Sequence, residues 1–222
     1  MGRVLDRDST GRTVLLTNVR LSFADSLKEA KLPKKALPDA KPTHSTNLLI
    51  EKGSPDYDSN VAAVKAALRA AAKEFKRPED WWERLWADDP KQLSFRKGDK
   101  FKTDAGEIYK GYEGNGVVIF KGPSGGTKRP KLLDRHKREV EVKDINDVCY
   151  NGSYCDAQVS FYGTDTGGTA RLTCSVEAIR SHQQGERLGG GGIGVDTDDF
   201  DDLGGDDSFD QPQTKKTVDL DI

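Results

Sequence analysis

Residues 14–23 read Val-Leu-Leu-Thr-Asn-Val-Arg-Leu-Ser-Phe, and Leu15, Thr17, Val19, Leu21 and Phe23 recur at every second position. That period predicts a strand with one buried face. Residues 43–50 predict a second strand. The segment between them carries Lys28, Lys31, Lys34, Lys35 and Lys41, interrupted by Pro33, Pro38 and Pro42. Proline lacks the amide hydrogen that a helix interior needs, so residues 24–42 predict a long basic loop.

The period then changes. Val61, Val64, Leu68, Ala71 and Phe75 fall at helical spacing in an alanine-rich background, which favours a helix with a narrow apolar stripe. Asp58 or Ser59 suits its N-cap. Pro78 suits the first position of a second short helix over 78–86, with Trp82, Leu85 and Trp86 on one face. That stripe reads as core packing rather than as a base-stacking surface.

From Gln92 onward the pattern is β. Residues 93–96 form a short candidate strand, and residues 117–120 are a continuous apolar run between glycines. Residues 150–162 alternate. Cys155, Ala157, Val159 and Phe161 share one face, and Tyr154, Asp156, Gln158, Ser160 and Tyr162 the other. A turn over 163–168 precedes inward Ala170, Leu172, Cys174 and Val176 and outward Arg171, Thr173 and Ser175. Residues 177–182 predict a closing helical turn.

The predicted architecture is mainly β with a helical insertion at about 56–88: an OB-fold-like, partly open β-barrel over 14–184. A flexible N-terminus over 1–13 precedes it. A glycine-rich linker over 185–195 follows, and then a disordered acidic tail over 196–222. An apolar content of 34% and a mean hydropathy of −0.73 agree with one modest core and polar ends.

The net charge of −2 conceals a division. From Asp196 onward ten aspartates face only Lys215 and Lys216, a net of −8. The 33 basic and 27 acidic residues before them give +6. A basic body suits a polyanion, and the acidic tail imitates one.

Catalytic chemistry finds little support. His44, His136 and His182 are scattered, and Cys149, Cys155 and Cys174 match no zinc spacing. Aspartates are dense only in the tail, where disorder prevents a preorganised site. The expectation is a protein that is not an enzyme, with no metal, no cofactor and three buried reduced thiols. No run approaches the roughly 18 apolar residues of a membrane span, so no membrane is expected as a partner.

Binding of single-stranded nucleic acid needs cations along the phosphates and flat side chains under the bases. Tyr154, Tyr162 and Arg171 would project together from the late hairpin. The alternative is tyrosines packed under a loop. Tyr109 and Tyr112 stand in a glycine-rich stretch that suits a base-stacking hairpin tip or an ordinary turn. Residues 121–131 put Lys121, Lys128, Arg129 and Lys131 in one loop with three glycines. This loop resembles a nucleotide-hydrolase phosphate loop but lacks its Gly-Lys-Ser/Thr order, so contact with a phosphate backbone is the better reading. Lys34 and Lys35 of the long loop complete the candidate DNA-binding set.

In the tail, Asp199, Phe200, Asp201, Asp202, Phe209, Leu220, Asp221 and Ile222 combine acid with spaced apolar anchors. That pattern suits docking on a partner's basic groove, or on the chain's own until DNA displaces it.

Several segments in order carry a family resemblance: Val19-Arg20-Leu21-Ser22-Phe23, His44-Ser45-Thr46-Asn47-Leu48-Leu49-Ile50-Glu51-Lys52 and the alanine-rich helix. Arg129-Pro130-Lys131-Leu132-Leu133-Asp134, Tyr150-Asn151-Gly152-Ser153-Tyr154 and Gly185-Glu186-Arg187-Leu188-Gly189 continue it. Together they resemble a family of phage-encoded single-stranded-DNA-binding proteins. The resemblance implies an OB-fold, no enzymatic activity and a role in phage DNA replication or recombination. It also implies a tail that recruits replication or recombination proteins, and a location in the cytoplasm of the infected bacterial host. Many such tails end in an aromatic residue; this one ends in Ile222. Two alternatives stay open: a mediator that anneals complementary strands, and a protein-interaction scaffold that binds no DNA. The residues permit a homodimer by tail exchange and do not require one.

Overall fold

The computed structural model describes residues 1–32, 40–166 and 168–188. Lys34, Lys35, residues 189–195 of the predicted linker and the whole tail lie outside the described residues.

Among the described residues eight strands form one sheet: β1 (Arg3–Val4), β2 (Thr13–Ser22), β3 (Ser45–Ile50), β4 (Phe95–Lys97), β5 (Gly116–Lys121), β6 (Lys131–Leu133), β7 (Tyr154–Thr166) and β8 (Thr169–Gln183). Among the described residues four α-helices accompany them: α1 (Asp25–Lys28), α2 (Tyr57–Glu74), α3 (Trp81–Asp88) and α4 (Ile145–Val148). The strand order is β4-β5-β3-β2-β7-β8-β6, with β1 on β2. A further pairing of β5 with β8, at Lys121 and Ser175, curls the sheet into a partly closed ring. The mainly β, OB-like architecture with a helical insertion is the one the sequence predicts.

The inside of the ring holds Val14, Leu16, Val19, Leu21, Leu48, Ile50, Val118, Phe120, Cys155, Ala157, Val159, Phe161, Leu172, Cys174 and Val176, all essentially inaccessible. Helix α2 packs Ala63, Val64, Ala67, Leu68, Ala71 and Ala72 against this core. Its alanines allow the helix backbone to approach the sheet closely. Trp82 and Leu85 of α3 are buried, and the half-buried Trp86 ring lies 5.0 Å from that of Phe95.

Six expectations are corrected. The N-terminus is not a free arm but docks on the sheet: Arg3 and Val4 pair with Leu15 and Val14, and the Gly2 amide donates to Ser59 Oγ at 3.0 Å. The following loop is organised by Asp8, whose carboxylate accepts from Thr10 and from the Thr13 amide. Those hydrogen bonds hold the Asp8 carboxyl well below the usual carboxylate range.

The inward face of β2 is also different. Val14 and Leu16, not Leu15 and Thr17, face the core, because a bulge between Leu16 and Val19 shifts the phase. Asn18 takes the left-handed conformation there (φ 51°), which asparagine tolerates better than most residues. Buried Asn60 of α2 fixes the bulge by accepting from the Thr17 amide and donating to the Thr17 carbonyl. The N-cap of α2 is Asp56, not Asp58 or Ser59, and makes no side-chain cap; Ser59 Oγ instead donates to the Asp56 carbonyl. Helix α3 starts at Trp81, three residues after Pro78.

Residues 177–182 are strand, not helix. A second bulge separates the Val159–Val176 pair from the Gln158–Ala178 pair. The buried set therefore runs Val176, Ile179, Ser181, a spacing that mimics a helical period. Finally, residues 185–188 belong to the folded body rather than to a linker. The Gly185 amide donates to Tyr150 Oη, and Leu188 is buried.

All three cysteines are buried and free. Burial pushes the Cys149 and Cys174 thiols up to about 12, and Cys155 well above its ordinary value. Only thiolates react rapidly. A thiol-reactive disulfide reagent at about pH 8 should therefore label none of them within minutes in the native protein and all three after denaturation. Rapid native labelling would place a thiol at the surface.

Candidate nucleic-acid interface

Register decides what the outside of the ring presents. Residues paired across a ladder share a face. Arg20 and Ser22 of β2 pair with Leu49 and Asn47 of β3, and Leu49, Asn47 and Ser45 pair with Val117, Ile119 and Lys121 of β5. These side chains alternate with the core-facing set and so point outward.

Half of this outer face is covered. Residues 98–116 fold back over it, and Leu49, Tyr112, Val117 and Leu188 form a second small apolar cluster. The other half is open. Ser45 and Ile119 are half-buried, and Lys121 is exposed.

One flank of the open half is cationic. Lys91, Arg96, Arg171 and Thr173 line a cavity of about 140 Å³ with Ile119 in its wall. The Arg96 guanidinium is held in place: Nε donates to the Leu93 carbonyl and Nη2 to the Lys91 carbonyl, both at 2.8 Å. Burial lowers the Arg96 pKa, and the nearby Arg171 charge lowers it further, with Asp89 opposing. Among the described residues, no carboxylate lies within 4.0 Å of Arg96, Arg171 or Lys121. Two neighbouring guanidiniums without a carboxylate in ion-pair contact form a focus for an anion.

The other flank is aromatic. Phe23 directly follows β2, 47% exposed and with its backbone in the left-handed region (φ 59°). A bulky residue in that region is strained, and such strain concentrates at functional sites. The Asn151 side chain accepts from the next amide, Ala24 N, at 2.5 Å. The Phe23 ring meets Tyr109 edge-on at 5.3 Å and Tyr112 at 6.3 Å.

The sequence-predicted residues fall into distinct places. Lys121 lies on the open face, and Lys128 is exposed in the adjoining loop. Tyr109 is half-buried behind Phe23. Tyr162 pairs with Thr173, and Arg171 pairs with Thr164, so the side chains of Tyr162 and Arg171 share an outward face. Burial raises the Tyr162 pKa.

Four others are engaged within the protein or lie off the open face. Tyr112 is 1% exposed; its hydroxyl donates to Ser22 Oγ and accepts from Asn47 Nδ2, each at 2.9 Å. Burial raises its pKa. Tyr154 donates to Glu51 Oε2 at 2.9 Å and lies beside the Arg20 guanidinium at 5.4 Å. Arg129 donates to the Lys28 carbonyl at 2.6 Å and so ties the 121–131 loop to the start of the long basic loop. Lys131 sits on β6, beyond β8, and pairs with Glu139 at 3.8 Å.

Sequence reasoning missed Phe23, Lys91, Arg96 and Ile119. Phe23 gave no signal, because strand alternation places it inward. The cations of residues 91–102 (Lys91, Arg96, Lys97, Lys100 and Lys102) were a usable one.

Two other concave regions are weaker candidates. The larger, about 590 Å³, mixes Arg135 and Arg138 with Asp134 and Asp147, and Arg138 is already paired with Asp134 at 2.7 Å. The other gathers Arg3, Arg7, Lys137 and Arg180 around Leu15 and Ala178, but Asp156 engages Arg180.

A partly closed ring of strands with an exposed cationic and aromatic face places the chain among the OB-like folds. The chain belongs to the family described as Enterobacter phage Enc34, ssDNA-binding protein, whose model matches residues 12–210. Protein p50 of Acyrthosiphon pisum secondary endosymbiont phage 1 is 26% identical over 193 residues, covering 86% of this chain and 93% of that protein. The single-stranded DNA-binding protein of bacteriophage Enc34 in complex with ssDNA shares the fold. It has a TM-score of 0.56 and 17% identity, over 80% of this chain and 90% of that one. Its C-terminal truncation gives a TM-score of 0.57 and 17% identity, over 84% and 92%.

Proposed function

We propose that this protein binds single-stranded DNA without sequence preference on the open outer face of β3 and β5. The observation that carries the reading is the Arg96–Arg171 pair, which has no carboxylate within 4.0 Å among the described residues, beside half-buried Ile119 and exposed Lys121, with the Phe23 ring on the opposite flank. Phosphates follow the cations and bases stack on the exposed ring. Family membership supports this reading, as does the similar fold of the Enc34 protein, solved in complex with ssDNA. The role is binding and protection during phage DNA replication or recombination, in the cytoplasm of the bacterial host.

The acidic tail competes with DNA for this face and, once displaced, recruits replication or recombination proteins. Its net charge of −8 against a body of +6 favours the competition, and tethering makes weak contacts sufficient. The test is anisotropy of labelled oligo-dT with the full chain and with a chain ending at Gly194. The truncated chain should bind about tenfold more tightly at low salt, with a steeper salt dependence. Equal affinities would remove the tail from the account. No binding by either chain would favour a scaffold role.

A further inference from the structure

Beyond the open face, Arg96 also lines a second concavity. Trp86, Ala87, Pro90, Arg96, Lys97 and Lys100 enclose about 460 Å³. The indole of Trp86 is half-buried, backed by the Phe95 ring at 5.0 Å, and Lys97 Nζ stands 6.0 Å from its centroid. Lys97 and Lys100 are exposed, and neither has a carboxylate within 4.0 Å among the described residues. One rigid ring, a proline edge and three cations make a cradle for a planar anion-bearing ligand. The ring supplies a stacking surface, and the cations reach the phosphates on either side of a stacked base.

We infer that this pocket is a further nucleotide subsite, occupied by one nucleotide of a DNA strand that runs off the β3–β5 face past Arg96. The inference rests on the single-strand reading above. Continuity argues for this occupant. Arg96 is fixed by its two backbone hydrogen bonds and lies in the wall of both concavities. A phosphate bound at Arg96 therefore links a base near Ile119 to one on Trp86.

The test is a length series of oligo-dT, from about 5 to about 30 nucleotides, with the full-length wild type, Trp86→Ala, Trp86→Phe and the surface double variant Lys97→Glu/Lys100→Glu. Short oligonucleotides that fill only the open face should bind all four proteins alike. Long ones should bind Trp86→Ala and the double variant about 5- to 30-fold more weakly than the wild type, while Trp86→Phe keeps most of the affinity. The double variant guards against a folding defect in Trp86→Ala, because both lysines are exposed.

Wild-type affinity of the double variant and of Trp86→Ala for long oligonucleotides would overturn the subsite. So would an equal loss at every length. No wild-type binding at any length would instead sink the single-strand reading itself, a distinguishable failure.

Discussion

Replacing both Arg96 and Arg171 with alanine should lower oligo-dT affinity about 30- to 100-fold near 0.1 M salt and flatten its salt dependence. Each phosphate contact to a single strand contributes about 0.7 to the slope of log K against log salt, so losing two should reduce it by about 1.4. The effect is large because the two guanidiniums lack a carboxylate partner among the described residues and stand where the strand must pass. The fold should survive. Arg171 is exposed, and the cost at Arg96 is two hydrogen bonds to the Leu93 and Lys91 carbonyls, about 1–3 kcal/mol in all. Titrations at several salt concentrations, with a thermal melt as control, measure both effects. An unchanged slope would mean that the phosphates lie elsewhere.

Arg20→Ala should produce the largest loss of stability. Its side chain is 10% exposed and pairs with Glu51 at 3.1 Å. Nε donates to the Gly152 carbonyl at 3.0 Å and Nη2 to the Glu186 carbonyl. The Tyr154 ring lies against it. Removal leaves Glu51 without its cation and two carbonyls without donors, which should cost about 3–5 kcal/mol. Lysine should not restore the loss, because one ammonium cannot serve acceptors that the planar fork reaches together. Urea unfolding should show a lower midpoint with an unchanged slope. The Leu188 amide, bonded to the Asn151 carbonyl, should exchange faster as residues 184–188 loosen. A midpoint within experimental error of the wild type would contradict the assigned clamp.

The resemblance and the periodicities reached the fold class, the helical insertion and the inward set of β7, because these depend on patterns that run unbroken for several residues. They failed wherever one extra residue enters a strand. The bulge at Asn18 inverted the face of residues 14–17, and the bulge at Glu177 disguised the end of β8 as a helix. At the site, Lys121, Arg171 and Tyr162 were legible as outward positions on strands. Phe23 was not, because its exposure depends on a left-handed backbone outside any alternating pattern. Tyr112 and Tyr154 looked like stacking residues in sequence; the partners that engage them, Ser22, Asn47, Glu51 and Arg20, are far away along the chain. A buried hydroxyl needs such partners, and one-dimensional spacing does not reveal them.

The central claim is that single-stranded DNA lies across the open face of β3 and β5. Photo-cross-linking with oligo-dT carrying 5-iodouracil, followed by peptide mass spectrometry, tests it most directly, because cross-links form at aromatic rings in contact with bases. The account predicts that cross-links concentrate on Phe23, with a further set on Tyr109 or Tyr162, and that excess unlabelled oligonucleotide abolishes them. Cross-links confined to Tyr150 in the concavity beside Arg135 and Arg138, or to Tyr57 at the start of α2, would contradict it.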